Sequence, residues 1–582
     1  MAALVAVVAL AIFFLGYRFY ARFVGRRIFG DQDEMTTPAH ALRDDQDFVP
    51  ADKHMLWGHH FTSIAGAAPI VGPCIAVFWG WLPALLWVVF GTVFMGAVHD
   101  FGALVVSVKE RGRSIADVAG TVLTPRARAM FLSFVLVLTW LVLAVFAMVI
   151  ASQFVSTPSA VLPVQIEILV AIVIGFLIHK KGKKPLIPSL VALGILYLFV
   201  WIGTEVPVDL RETFGGRNGA REAWLWMLFG YAAVASLTPV WLLLQPRDFI
   251  NSHQLMVGLG LLYAGLFVTL PDFDAPLVRA IESDGPSIWP LLFVTIACGA
   301  ISGFHGLVAS GTTSKQINRL RDTRLVGYGG MLGEGTLGLA SLLAAAAGIA
   351  LVGECTLPGQ GQVLDLGWLS YYDTWENAKR NTSQAFVLGG GELIHSLGVP
   401  SKICTTLMAV LVISFAATTL DTATRIQRFV VAELGDAVGL KPLTNRYVAT
   451  VIAVVPAILL ATIEVPKRGG REGEMTQVAW ELWPIFGASN QMMAALTFLV
   501  LTLYFLARKK PILPLLIPFV IVTAIALYAL FLQITAFIDQ ENWLLTGIGS
   551  LLLGLIVWML LEGLAACRRL IGAVAETESG DD

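Results

Sequence analysis

The 39 Lys and Arg residues of this 582-residue chain fall between its long apolar stretches and not within them. That pattern decides what the chain can fold into. The stretches are about 20 residues long, the length a helix needs to cross a hydrocarbon core of about 30 Å. Hydrophobic residues make up 57% of the chain and charged residues 14%, against roughly 45–50% and about 25% in soluble domains. The pattern predicts an all-α integral membrane protein of about 15 transmembrane helices. They fall near 1–17, 57–80, 82–108, 129–152, 164–178, 185–204, 223–244, 254–270, 288–309, 325–352, 402–424, 446–464, 480–506, 511–531 and 544–566. The first stretch has its arginines after the apolar run, so it reads as a permanent helix and not as a cleaved signal. Five scattered cysteines, most in apolar surroundings, point to neither a disulfide framework nor a zinc site.

Basic residues orient the helices. The connections 18–54, 109–128, 179–185, 245–253, 315–324, 425–446 and 507–511, with the tail after Cys567, hold roughly three times as many Lys and Arg as the alternate set. The expected topology therefore has the N-terminus outside and the C-terminus cytoplasmic. Lys467, Arg468 and Arg471, on an outer loop, run against it. Residues 353–401 form a long outer segment in which 383–398 is expected to be a cap helix or a re-entrant piece. The net charge of −2 identifies no partner.

The helix expected at 57–80 opens WGHHFTSIAGAAPIVGP. Gly66, Pro69, Gly72 and Pro73 break it, and proline removes a backbone donor while clashing with the preceding turn. In a bilayer such a break survives only where protein or a water-filled cavity satisfies the freed backbone groups. Residues Gly66, Ala67, Ala68 and Pro69 are therefore expected to line a substrate site. A second break is expected at Thr238 and Pro239, within the helix at 223–244, five helices later and crossing in the opposite direction. Two interrupted helices at matched positions of inverted halves point to a secondary transporter with its site near the midplane. The expected domains are 1–56, a first helix and a basic cytoplasmic loop; 57–204, the first repeat; 205–424, the second repeat, with 353–401 as its cap; and 425–582, four peripheral helices and a short tail.

The segments GYRFYARF, TPAHALRDDQDFVP, GHHFTSIAGAAPIVGP, HDFGALVVSVKERGRS, LQPRDFINS, SGFHGLVASGTTSKQI, TTLDTATRIQR and WPIFGASNQMMAAL, between about residues 16 and 500, together resemble the carbon-starvation CstA family. The resemblance implies a bacterial or archaeal inner-membrane transporter that takes up peptides or pyruvate under carbon limitation. It also implies a LeuT-type core of five plus five inverted helices with peripheral helices around it. In such cores the ninth helix expected here would offer Ser310, Thr312 and Thr313 to a sodium ion.

Titratable residues inside apolar stretches are costly and mark ion pathways. His59 and His60 sit at the inner half of the first interrupted helix, and histidine titrates near neutrality. Asp100, beside His99, is the expected proton acceptor, with Glu334 second and His305 a further candidate. Asp421 is expected to pair with Arg425 across one helical turn, and Arg247 with Asp248 as a gate or loop anchor. Asn490 and Gln491 are read as helix-to-helix hydrogen-bonding groups outside the core, and Trp57, Trp81 and Trp289 as interfacial residues. Gly329, Gly330 and Gly333 suggest packing, not nucleotide binding.

The expected function is symport of a small carboxylate or short peptide, coupled to protons or sodium, with no cofactor, no nucleic acid partner and no enzymatic activity. The helix restarts would receive the anion on free N–H groups. The alternatives are a channel, or a membrane sensor or enzyme in which His59, His60, Asp100 and His305 meet, with or without a metal.

Overall fold

The computed structural model describes residues 1–582 except 183, 280–284, 358–360, 381–382, 467–474 and 580–582. The loop with Lys467, Arg468 and Arg471 thus lies outside the described residues. The chain is helical almost throughout. In order it forms α1 (Ala2–Phe29), α2 (Lys53–Ile64), α3 (Ala68–Trp79), α4 (Trp81–Lys109), α5 (Ile115–Val122), α6 (Pro125–Ser156), α7 (Pro158–His179) and α8 (Leu186–Glu205). Next come α9 (Arg217–Leu237), α10 (Leu244–Thr269), α11 (Ile288–Thr295), α12 (Ala297–Ala300), α13 (Gly303–Gly311), α14 (Leu320–Leu351), α15 (Gln384–His395) and α16 (Ser401–Val438). The chain closes with α17 (Arg446–Thr462), α18 (Trp483–Leu506), α19 (Leu513–Asp539) and α20 (Trp543–Ser579). Two short antiparallel strand pairs, Glu354–Leu357 with Gly361–Leu364 and Glu464–Pro466 with Met475–Gln477, are the strand structure of the described residues. Among the described residues eleven helices are long and apolar enough to span a membrane, and α2 with α3 passes the same test as a pair bent by 49°. This is a multi-pass membrane protein.

The first break falls where the sequence places it. Helix α2 ends at Ile64, Ala65 leaves helical geometry, and α3 restarts at Ala68 with Pro69 in its first turn, where a missing N–H costs nothing. The second break does not lie in 223–244. There, α9 runs to Leu237, Thr238–Leu243 form a turn, and α10 begins as a separate long helix, so Thr238 and Pro239 join two spans end to end. The reason is local: the residue before a proline is pushed out of helical geometry. The turn is then held at one end of the molecule, where Val240 N–H donates to Gln46 O at 3.1 Å and Arg425 to the Thr238 carbonyl. A second interruption lies instead at Ile301 and Ser302, both extended, between α12 and α13.

These two interrupted helices pack against each other, α3 along α12 and α2 along α13, and they run antiparallel. One end of the assembly carries the basic connections, tied together by Ala51 N–H donating to Gln316 O at 3.0 Å and by Arg425 to Asp47 at 2.7 Å. At the other, aromatic end, Trp368 Nε1 donates to Val77 O at 3.1 Å and the Tyr372 hydroxyl to Cys74 O at 2.8 Å. Helices α2, α3, α4, α11–α13 and α14 form one bundle; α6, α9, α16 and α17 form a second, in which α6 and α16 make the most extensive contact in the molecule. Helix α18 lies against α13 and α4, so neither α17 nor α18 is peripheral. Glycine permits the closest approaches: a Cβ on Gly72 would collide with the Thr295 carbonyl, and one on Gly96 with that of Ala300. At twelve residues, α15 is about 18 Å long, too short to span, and it caps α10 and α16. Trp81 is buried on Phe273, rings stacked 4.2 Å apart, and is not an interfacial residue.

Candidate functional site

Two buried clusters flank the first interruption. The deeper one joins three helices of the first bundle. From α4, the Asp100 carboxylate takes His99 Nδ1 at 2.8 Å, and from α13 His305 Nδ1 lies 3.2 Å from its other oxygen. His305 Nε2 stands 3.2 Å from Glu334 of α14. All four side chains are fully buried. The His305 contacts have the distance of ion pairs but lack hydrogen-bond alignment, and both His305 nitrogens and both Glu334 oxygens have no hydrogen-bond partner among the described residues. Buried polar atoms left in this state are costly and are a mark of groups that exchange protons or ions. Close packing holds them there: a Cβ on Gly306 would lie 2.9 Å from the His99 ring.

The second cluster lies at the basic end of the break. His59 Nδ1 donates to Asp248 of α10, and Ser63 Oγ to the same carboxylate at 3.3 Å. His59 Nε2 meets Thr312 Oγ1 at 3.4 Å and the Gln316 amide at 3.3 Å. His60 Nδ1 lies 3.1 Å from Thr313 Oγ1, and Gly330 leaves room for its ring. Thr312 and Thr313 thus face the α2 histidines. Ser310 instead donates to Gly306 O at 2.6 Å and accepts from Ile115 N–H at 3.0 Å, a packing role. His59, His60, Asp100 and His305 do not converge on one point: His59 and His60 belong to the second cluster and Asp100 and His305 to the deeper one, and among the described residues no group of three or more His, Cys, Asp or Glu is placed to hold a metal.

The hydroxyls that reach the interruption come from α16. Thr419 donates to Ser63 O at 3.1 Å, and Thr422 Oγ1 lies 3.2 Å from Ser63 Oγ. A Cβ on Gly66 would sit 2.7 Å from Thr419 Oγ1. At the second break Asn490 of α18 accepts from Phe304 N–H at 2.8 Å and donates to Ser302 Oγ at 2.9 Å, so it caps the restarted helix α13. Gln491 donates to Phe293 O at 2.8 Å.

Two expected pairings are replaced by others. Arg247 does not pair with Asp248, because neighbours on a helix point some 100° apart. It donates to Glu167 of α7 at 2.9 Å and to Asp421 of α16 at 2.5 Å, while the Tyr231 hydroxyl also donates to Asp421 at 2.7 Å. Arg425 takes Asp47, leaving Asp421 to Arg247. Sequence reasoning missed Glu167, Thr419 and Thr422, and gave Asp248 to Arg247 where the structure gives it to His59. Glu167 could have been found as a lone carboxylate in an apolar stretch. At the basic end a polar cavity of about 470 Å³ is lined by Lys53, Arg319, Arg321 and Arg324 together with Asp52 and Asp322.

The profile of the family described as carbon starvation protein CstA matches residues 1–355 and 369–529. The chain belongs to the CstA family. It is 30% identical over 572 residues to the "Peptide transporter CstA" of Helicobacter pylori strain J99, covering 91% of this chain and 81% of that protein. It is 31% identical to the protein of the same name from Mycobacterium tuberculosis H37Rv, covering 86% and 70%. It is 28% identical to the "Pyruvate/proton symporter BtsT" of Escherichia coli K12, covering 87% and 78%. Among solved structures, the Eremococcus coleocola manganese transporter aligns with a TM-score of 0.49 at 13% identity, covering 90% of this chain and 99% of that one. MhsT in complex with L-phenylalanine aligns with a TM-score of 0.45 at 12% identity, covering 83% and 99%. Membership places the chain among membrane transporters.

Proposed function

We propose that this CstA-family protein is a symporter that carries a small carboxylate or a short peptide inward by alternating access across a bacterial or archaeal inner membrane. The basic end would face the cytoplasm, with the N-terminus outside. The observation that carries the proposal is the pair of antiparallel helices interrupted beside each other, with buried titratable clusters against them. An unwound segment exposes first-turn N–H groups, and those at Ala68 would receive a carboxylate without any Lys or Arg. The relatives named for peptide and for pyruvate transport support that substrate class.

The core is read as a LeuT-type arrangement of five plus five helices with bounds revised from the packing. The first half is α2–α3, α4, α6, α9 and α10, with α7 and α8 inserted; the second is α11–α13, α14, α16, α17 and α18. Matched contacts support this pairing. Helix α2 lies on α10 as α13 lies on α18, and the short helix α5 sits between α6 and α18 as α15 sits between α16 and α10. With α1, α19 and α20 outside, this gives fifteen spans.

Asp100, His305 and Glu334 are read as proton-holding groups, with His59, His60, Thr312 and Thr313 lining the path toward the cytoplasm. Reconstituted protein is tested with labelled pyruvate and labelled dialanine under separate proton and sodium gradients. Saturable uphill uptake is expected, and Asp100→Asn is expected to lose it while remaining folded. Uptake that merely equilibrates would refute symport, and wild-type coupling in Asp100→Asn would refute the role of Asp100.

A further inference from the structure

Asp248, which the sequence pairs with its neighbour Arg247, instead closes a directed chain of hydrogen bonds. Gln245 Nε2 donates to Gln316 Oε1 at 2.6 Å, Gln316 Nε2 donates to His59 Nε2 at 3.3 Å, and His59 Nδ1 donates to Asp248. Each link donates to the next, and the chain ends on a carboxylate. Its members come from the three segments that close over the basic end of the first interruption: α2, the start of α10, and the connection after α13. His59 and Asp248 are 0% and 2% exposed.

We infer that the His59–Asp248 pair is a proton-binding site whose occupancy releases the closure of the basic end. The inference rests on the symport reading above. A proton taken at His59 Nε2 turns that atom from acceptor to donor, so that it opposes the Gln316 amide nitrogen. Rotating the amide satisfies His59 but then sets its NH2 against that of Gln245. The chain must break or reverse in either case, and with Ser63 to Asp248 and His60 to Thr313 it is one of the ties that join the three closing segments. Charge favours the proton as well. One guanidinium, Arg247, faces the carboxylates of Glu167 and Asp421, and Asp248 is buried next to it. With His59 neutral, Asp248 has no ion-pair partner among the described residues, and uncompensated buried charge is expensive. The other charged or titratable groups against the pair are Arg247 of α10 and Asp421 of α16 on the Asp248 side and His60 of α2 on the His59 side. His60 lies between the two clusters and feels both. At 1.5 Å per residue, Asp248 is about 6 Å from the start of α10 and Glu334 about 21 Å from the start of α14, so the titratable groups are spread from the basic end to mid-span.

The test uses the full chain in proteoliposomes with labelled pyruvate and dialanine, comparing gradient-driven accumulation with counterflow. Asp248→Asn is expected to keep counterflow and to lose proton-driven accumulation about tenfold or more. Asp248→Glu is expected to keep accumulation with a displaced pH midpoint. Wild-type accumulation by Asp248→Asn overturns the inference. If Asp248→Asn loses counterflow too, Asp248→Glu decides: an undisplaced midpoint means a structural role and overturns the inference. Wild-type accumulation driven by sodium alone also overturns it and leaves the transporter reading intact. Failure of the wild-type protein to accumulate either substrate defeats the symport reading itself.

Discussion

Arg247 offers a clean test of how α10 is held to α7 and α16. It is 1% exposed and donates to Glu167 at 2.9 Å and Asp421 at 2.5 Å, which are themselves buried. With an effective dielectric of about 20, each contact is worth roughly 6–7 kcal/mol of gross attraction. Most of that is offset by stripping water from three charges. The asymmetry between making and breaking the cluster fixes the outcome: removing one partner leaves uncompensated charge and costs about 3–5 kcal/mol. Arg247→Met keeps much of the volume and removes the charge, leaving both carboxylates stranded. It should therefore consume a large share of a stability of about 5–15 kcal/mol. The triple variant Arg247→Met/Glu167→Gln/Asp421→Asn removes all three charges and should recover to within about 2 kcal/mol of wild type, since neutral replacement of a buried ionic cluster is often tolerated. Thermal unfolding of detergent-solubilised protein, followed by intrinsic fluorescence and size-exclusion recovery, reads both. A melting curve for Arg247→Met that overlays wild type would refute the reasoning, as would a triple variant no more stable than the single one.

Two further outcomes follow from contacts at the site and at the basic end. Gly66→Val should reduce transport by more than about tenfold, because its Cβ would sit 2.7 Å from Thr419 Oγ1 and 3.1 Å from Phe146, whereas Gly194→Ala, with nothing within 4 Å, should be silent in the same uptake assay. Arg319→Gln/Arg321→Gln, in the cavity of about 470 Å³, should slow exchange of an anionic substrate about two- to fivefold at low ionic strength and leave it unchanged at high salt, because exposed charges steer anions over a Debye length of about 10 Å at 0.1 M.

Much of the membrane architecture was legible because it rests on local composition. Apolar length sets the spans, basic residues mark one end, and Gly66 with Pro69 announces the first break. The second break was misplaced for a physical reason. Thr238–Pro239 carries the stronger local signal, but a proline at the end of a span makes a turn as readily as one in its middle makes an interruption. The break at Ile301 and Ser302 has no proline at all. It is sustained by Asn490, which reaches Phe304 N–H across 186 positions of sequence, and no local pattern reports such a partner. Pairings within the buried clusters were hidden for the same reason. Asp421 has Arg425 one turn away, yet Arg247 from another helix takes it and Asp47 takes Arg425. The i,i+4 rule describes exposed helix faces and loses to tertiary packing once every face is covered.

Arg247 and Asp248, adjacent on α10, tie that helix in two directions. Arg247 reaches outward to α7 and α16, and Asp248 reaches inward to His59 beside the interruption. The outward contact joins one guanidinium to two buried carboxylates, so breaking it strands charge, whereas the inward one ends on a histidine, the side chain whose charge changes most readily near neutral pH. The start of α10 is therefore fixed on its outer side and switchable on its inner side. A movement of α2 that breaks His59 from Asp248 can leave Arg247 in place, so α10 would serve as the stationary post against which the interrupted helix opens. Glu167, on α7, joins that fixed side through Arg247 and through Ser414 of α16.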